Sequence, residues 1–398
     1  MSISDRVVFA NDDIFFLADV GICESYGTAI PANSDIAAFL KKKLSALTSA
    51  PPSSKNAFPI SQPSSFRRST IQSLYAFPYC VALKTDGERR LLLLTRFQGK
   101  PIACFCDRKM NLRKVEIWAP LHFFDDTLLD GELVHEAAGA VPARDVFLVF
   151  DAYTCSGQSL VLDDYDVRVD KYRSIIHEPS HDVEEEPALE MLLVETNKIS
   201  FPPRQNLFLK PKAVANSVYD SKAIWERRLI TPHLNDGLIF TPNTVVLTDR
   251  SVYKWKPTHT IDVLIFGSDA GKRHVKYFRP HLQHCGEVTH ITSLTVEFDN
   301  TFNGQKKVSF KANQIASNEI VELALKTRSS AVLECAINVT WSDTSVSFLP
   351  IRERADKTMP NSVYVGKETI ISVIEDVKIH EFWGKPHVAS GGKRARAR

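Results

Sequence analysis

Lys84 stands in the run Lys84-Thr85-Asp86-Gly87-Glu88-Arg89, a lysine between apolar segments followed at short spacing by an aspartate, a glycine and an arginine. An amine attacks phosphorus only as the free base, and an ordinary lysine titrates at about 10.4, so a nucleophilic lysine needs surroundings that discourage its charge. Arg89 is the nearest cation to do this. Asp86 is placed to orient the amine or a ribose, and Gly87 lets the backbone pass close to a nucleotide. The same residues also suit a hairpin with Asp-Gly at its tip, so the chemistry has to be carried by more than this run. Downstream, Leu129-Asp130-Gly131-Glu132-Leu133 places a carboxylate in an apolar strand, where it must find a partner. Asp236-Gly237 leads directly into Leu238-Ile239-Phe240, and Lys254 and Lys256 alternate around Trp255, so that both face one side and repel unless an anion lies between them. Further on, Arg352-Glu353-Arg354-Ala355-Asp356-Lys357 adds two more cations, Arg354 and Lys357, with Asp356 between them. A candidate nucleophile, carboxylates that need partners and several cations that need an anion are the groups that chemistry at a phosphate would use.

This ordered series resembles the covalent nucleotidyltransferase superfamily, which comprises the mRNA capping guanylyltransferases and the ATP- and NAD-dependent polynucleotide ligases. Phe58-Pro59-Ile60-Ser61-Gln62-Pro63-Ser64-Ser65 is similar to the F-P-x-S-Q-P-x-S element of the capping branch, and Arg352 through Asn361 to its R-x-R-x-D-K-x-x-P-N. The resemblance implies an α+β fold: a nucleotidyltransferase domain of the ATP-grasp-like ligase and capping type, built of antiparallel sheets with helices, and a C-terminal OB-fold domain. It implies that Lys84 forms a phosphoramidate with GMP taken from GTP, in a pocket lined by Thr85, Asp86, Gly87, Arg89 and Gly237. Glu132 would serve the ribose or a metal, Asp236 the metal or the phosphates. Phe150 and Ile239 would sandwich the guanine, though strand residues of these types usually just pack. Lys212, or Lys210 in its place, would donate to the guanine O6 acceptor, which favours GTP over ATP. Lys254 and Lys256 would meet the α-phosphate and depress the pKa of Lys84. Arg354 and Lys357 would reach the β- and γ-phosphates as the second domain closes, with Asp356 holding the arginine or completing the closed interface. The acceptor implied is 5′-diphosphate RNA; the partners are an RNA triphosphatase and a cap methyltransferase acting in trans, and the transcribing polymerase. The setting implied is a nucleus or a viral factory. A polynucleotide ligase and a non-catalytic RNA-binding module are the competing readings; the latter would form no covalent nucleotide adduct.

The elements that must position these residues follow from pattern. At 398 residues and 44% hydrophobic content the chain can hold two domains with real cores, and its net charge of +2 argues against a whole face that grips RNA. The seven cysteines have no paired metal spacing. Cys104 and Cys106 alternate and so point the same way, and His281-x-x-His284-Cys285 is short and isolated. No stretch suits a membrane span or a signal peptide, and scattered thiols suit a reducing compartment. Residues 1–57 read as an extension with a helix at Ile36–Leu47 and a Pro/Ser-rich linker. The nucleotidyltransferase domain follows over 58–257: a short helix at 69–77, strands at Cys80–Lys84, Arg90–Phe97, Ala103–Asp107, Leu128–Leu133 and Val146–Phe150, and helices at 163–177 and 215–227. Residues 181–187 read as a solvated acidic loop. The OB-type domain at 258–385 is expected to have five strands, at Thr260–Phe266, Val288–Phe298, Lys307–Lys311, Ala331–Thr340 and Ser345–Pro350, with a hairpin at Asn303-Gly304. A closing helix at Lys367–Glu381, within 362–385, is able to pack back onto the first domain, and residues 386–398 form a basic tail.

Overall fold

The computed structural model describes residues 26–48, 58–60, 62–136, 144–177, 192–246, 251–266, 274–276, 293–302, 304–315, 319–325, 330–355 and 357–382. These fall into two units. Of the described residues, one holds those from 26 to 64, those from Gln72 to Trp255 and Ile379–Phe382; the other holds Ser65–Ile71 and those between Lys256 and Lys378.

The first unit is organised by a strand that is apolar on both faces. In Glu88–Phe97 all four residues from Leu91 to Leu94 are fully buried. Leu92 and Leu94 join a core with Phe105, Phe123, Phe147 and Tyr172, whereas Leu91 and Leu93 join another with Leu40, Leu44, Cys104 and Cys106. A strand covered on both sides reads as an unbroken hydrophobic run, not as an alternation. Its sheet runs in the order Thr28–Ala29, Leu112–Val115, Lys100–Cys106, Glu88–Phe97, Thr127–Glu136, Arg144–Cys155, Leu207–Pro211, with Gln158–Ser159 paired to Arg144–Cys155. Neighbours are antiparallel except for Leu207–Pro211, which lies parallel to Arg144–Cys155. A second sheet has the order Val214–Ala215, Tyr79–Thr85, Asn235–Pro242, Tyr253–Trp255, Ser64–Ser65. The expected helix over 163–177 is Tyr165–Ile175, and that over 215–227 is two 3₁₀ turns flanking Ser221–Glu226.

Of the residues ahead of position 58, the described segment 26–48 is packed into the first unit and is not a separate arm. The helix Asp35–Leu47, capped by the Ser34 side chain, sends Ala37, Leu40 and Leu44 into the core behind Leu91 and Leu93. Its i, i+3, i+7 stripe is visible in the sequence; the surface that receives it is not. Thr28–Ala29 pairs with Leu112–Val115. Cys104 and Cys106 do point into one core, where burial pushes both thiols up, Cys106 to about 12.

The second unit has a six-stranded sheet among its described residues, one strand more than expected, because His274–Lys276 pairs with Thr260–Phe266. Ser330–Thr340, Ser345–Glu353, Gln305–Ile315 and Ser293–Phe302 follow in order, with the Ser345–Glu353 and Gln305–Ile315 strands parallel. Phe302 pairs with Gln305 across the expected hairpin, whose Gly304 has φ +76°. The closing helix is Val363–Glu375, four residues earlier than its expected start; Ile370 and Ile371 seal this unit's own core. Only the 3₁₀ turn Ile379–Phe382 belongs to the first unit, where Phe382 meets Phe240 and Trp255. The acidic run at 181–187, the His281 to Cys285 cluster and the tail at 386–398 lie outside the described residues.

Leu44→Ala should cost about 2–5 kcal/mol, as expected for a truncated buried leucine, and urea unfolding followed by tryptophan fluorescence reads it out. An unchanged midpoint would mean that the helix is a detachable arm after all.

Candidate active site

Lys84 lies on the strand Tyr79–Thr85, opposite Gly237 of Asn235–Pro242. The pairing slips at this point: Asn235 faces Thr85 and Gly237 faces Lys84, which leaves Asp236 as an extra residue. Such a bulge re-aims a side chain, and here Lys84 Nζ donates to Asp236 Oδ1 at 2.6 Å. Ile239 faces Ala82 and Lys254, so the residues Lys84, Gly237, Ile239 and Lys254 follow one face of this sheet. Lys256 comes directly after the strand Tyr253–Trp255 and begins the other unit, while Trp255 is buried as expected.

The other sheet supplies the facing half of the pocket. Arg89 stands opposite Glu132 and forks onto Asp130, with Nε to Oδ1 at 3.0 Å and Nη2 to Oδ2 at 2.7 Å. Asp130 has no exposed surface, and Tyr153 Oη donates to it at 3.1 Å. Burial pushes the Asp130 carboxyl up, against the opposing pull of Arg89. Arg90 turns the other way, to Glu88 and Asp107, so Arg89 is the arginine of the pocket. A second bulge lies opposite this point. Asp130 pairs with Asp151 and Gly131 with Val149, and Phe150 is the extra residue. Its carbonyl takes the Tyr165 hydroxyl at 2.7 Å. The Phe150 ring lies 5.5 Å from the Arg89 guanidinium, which Phe58 covers at 5.6 Å.

Lys212, just beyond Leu207–Pro211, is buried, with Nζ 2.7 Å from Thr85 Oγ1, 3.6 Å from Glu132 Oε2 and 5.5 Å from the Phe150 ring. The Thr85 hydroxyl in turn donates to Glu132. Burial holds the Lys212 amine below the usual lysine range; Lys84 adds to the effect and Glu132 opposes it. Lys210 turns instead to the buried Glu136, at 3.1 and 3.0 Å, so Lys212, the preferred of the two, is the lysine beside Thr85 and Glu132.

Both glycines of the pocket motifs are needed for close approach. A Cβ on Gly87 would stand 2.3 Å from the Leu133 carbonyl oxygen, and one on Gly131 would stand 2.5 Å from Phe147 Cζ. Gly87 therefore answers to the neighbouring strand. Asp86 is exposed, its amide bonded to the Leu234 carbonyl at 3.0 Å.

In the second unit Arg354 and Lys357 converge on a carboxylate that the sequence reading missed. Asp262 is buried and lies 3.3 Å from Arg354 Nη1 and 2.5 Å from Lys357 Nζ. Its backbone bonds Asn361 in both directions. Glu334 holds Arg352 at 2.8 Å and accepts from Thr260. Asp356 lies outside the described residues. Period-two alternation of Ile261, Val263 and Ile265 could have marked Asp262 as the polar face of its strand, but not what it holds. Arg108 was missed as well. It is exposed on a turn fixed by Asp107, within the electrostatic reach of Arg89, Asp130 and Glu132, and makes no ion pair among the described residues. Nothing in its spacing distinguishes it.

The family model of the mRNA capping enzyme catalytic domain matches residues 26–258. The chain belongs to this family. Among curated capping enzymes, it is 32% identical over 242 residues to the mRNA-capping enzyme subunit alpha of Schizosaccharomyces pombe, 57% of each chain. It is 31% identical over 248 residues to that of Kluyveromyces lactis, covering 54% of this chain and 48% of the relative. To the mouse mRNA-capping enzyme it is 24% identical over 211 residues, covering 51% and 33%. The chain thus spans about half the length of the leading capping-enzyme relatives. The family match begins at Tyr26, ahead of the helix that packs behind Leu91, and ends just after Lys256.

Two outcomes test this geometry. Asp130→Asn should destabilise by about 3–5 kcal/mol, the cost of leaving a buried cation without its charge, read by urea unfolding. Glu136 gives a pH signature. Burial pushes its carboxyl up, but Arg144, Lys210 and the facing His233 outweigh this and hold it at about 2, against the usual 4.5. Its stabilisation is therefore complete above pH 4.5 and lost as the pH falls toward 2, and Glu136→Gln should flatten that part of the stability profile.

Proposed function

We propose that the chain is an mRNA guanylyltransferase. The observation that carries this is the Lys84 amine resting on Asp236 at 2.6 Å, on one side of a pocket whose other side presents Lys212, Glu132, Arg89 and Phe150. In the first half-reaction the neutral Lys84 Nζ attacks the α-phosphorus of GTP. An N–P bond forms, the bond from the α-phosphorus to the bridging oxygen breaks, and pyrophosphate leaves with the electron pair. Asp236 is the base within reach of the amine proton. In the second half-reaction a β-phosphate oxygen of 5′-diphosphate RNA attacks the same phosphorus, the N–P bond breaks, and the amine regains a proton. The product is a GpppN cap.

The parts divide by chemistry. The Phe150 face accepts the guanine, and Lys212, a donor with no acceptor capacity, suits its O6 oxygen where adenine would present an amino group. Glu132 and Arg89 border the ribose. Arg108 and Lys254 add positive charge for the phosphates, and Arg354 and Lys357 remain the cations assigned to departing pyrophosphate. Glu132 and Asp236 are the residues that would hold Mg²⁺ or Mn²⁺. Among the described residues no three acidic, histidine or cysteine side chains converge on one point, so triphosphate and water oxygens would complete the shell, which suits Mg²⁺. When bound, the ion supplies neutralisation of the triphosphate charge.

We also assign the second unit to the OB type and the protein to the nucleus. The names of the yeast relatives include the word subunit, which supports an RNA triphosphatase acting in trans, with a cap methyltransferase downstream and the polymerase as a further partner.

Incubation with Mg²⁺ and α-labelled GTP followed by denaturation should leave acid-labile label on the chain, and Lys84→Ala should lose it entirely. Label from ATP instead would assign the chain to ligase chemistry, and no label from either would leave a binding module.

A further inference from the structure

The strand Thr127–Glu136 brings Asp130 and Glu132 to the pocket and ends on a third carboxylate, Glu136, for which the reaction has no use. Glu136 is only 4% exposed. Arg144, its partner in the sheet register, donates to it from Nε at 2.8 Å. Lys210 donates to both of its oxygens. His233 Nδ1 faces it at 3.8 Å, buried and without a hydrogen bond. A carboxylate taken out of water needs such partners, and three on one residue more than meet the need.

What sets this cluster apart is where its members lead. Glu136 shares a strand with Glu132; Lys210 is followed two residues later by Lys212; His233 is followed three residues later by Asp236. Between the last two, the Leu234 carbonyl takes the amide of Asp86, so the same segment also holds the turn after Lys84. Asn235 reinforces it, with Nδ2 donating to the Thr231 hydroxyl at 2.7 Å and the His233 carbonyl at 2.8 Å. One buried carboxylate therefore ties together the three chain segments that carry the base-side lysine, the ribose-side glutamate and the phosphate-side aspartate.

We propose that Glu136 is a positioning residue for nucleotide binding: through Lys210 and His233 it sets the separation of Lys212, Glu132 and Asp236 to the span of one nucleoside triphosphate. This rests on the guanylyltransferase reading above. Glu136 touches neither nucleotide nor Lys84, so its effect falls on how well GTP is held and little on the bond-making step.

The test is the GTP dependence of lysyl-GMP formation in the full chain, comparing wild type with Glu136→Gln, Glu136→Asp and Lys210→Met. Glu136→Gln should raise the KM for GTP about tenfold, equivalent to about 1.4 kcal/mol, with kcat within about twofold. Lys210→Met, which cuts one tether at a partly exposed side chain, should move KM in the same direction by less, and Glu136→Asp should recover part of the loss. A purely structural role would instead lower the labelled fraction and the thermal midpoint at unchanged KM, and that result overturns the proposal. If Glu136→Gln does not fold, Lys210→Met decides: a wild-type KM overturns the proposal too. Absence of label on wild type is a different failure, because it removes the guanylyltransferase reading itself.

Discussion

The pocket of the first unit rests on a carboxylate that water cannot reach. Asp130 keeps its place in the sheet because Arg89 meets it with both arms of the guanidinium, and a planar fork is the one cationic group that can do so bidentately. Once clamped, the guanidinium becomes a fixed flat surface, covered by Phe58 on one approach and Phe150 on another. A lysine could neutralise Asp130 but would leave neither ring a plane to pack on. The entry segment around Phe58 and the aromatic of the Arg144–Cys155 strand are thus both organised by one ion pair. Its contribution to net stability is modest after desolvation; its geometric consequence is large.

Two irregularities complete what the ion pair begins. An ideal strand sends alternate residues to opposite faces, so a motif needing neighbouring residues on one side has to break the pattern. The bulge at Asp236 does this for the carboxylate beside Lys84, and the bulge at Phe150 does it for the ring beside Arg89. Each is an extra residue on one strand facing a regular partner. The exposed carbonyl that a bulge creates is met at Phe150 by the Tyr165 hydroxyl, which ties the helix Tyr165–Ile175 to the site.

These features explain what could be read from the chain alone. Residue type and spacing were enough to expect the strands that bear Lys84 and Glu132 and a partner for Glu132, because a charged side chain in an apolar run announces one, and the structure pairs it with Thr85 and Lys212. Arg89 was singled out by its spacing from Lys84, and the structure turns its neighbour Arg90 to Glu88 and Asp107 instead. Register was not legible: a bulge is a relation between two strands, and neither strand states it alone. Lys212 was preferred to Lys210 from the sequence, but what each one touches was not legible. The helix Asp35–Leu47 showed its apolar stripe but not its receptor, so its membership of the first unit was lost. Asp262 looked like one polar position among several until Arg354 and Lys357 were seen around it.

Lys84 and Asp236 belong to one sheet of the first unit, whereas Arg89, Glu132 and Phe150 belong to the other. The chain crosses between them within a few residues, at Gly87, where the backbone is too close to Leu133 for any side chain. On the proposed reading, a nucleotide joined to Lys84 with its base against Phe150 would be a strut between two sheets, anchored covalently at one end and by packing at the other. The loaded protein would then be internally cross-linked by its own intermediate. Any motion that spreads the sheets would strain that strut, so transfer of the nucleotide to an acceptor would also return to the unit the freedom that loading removed.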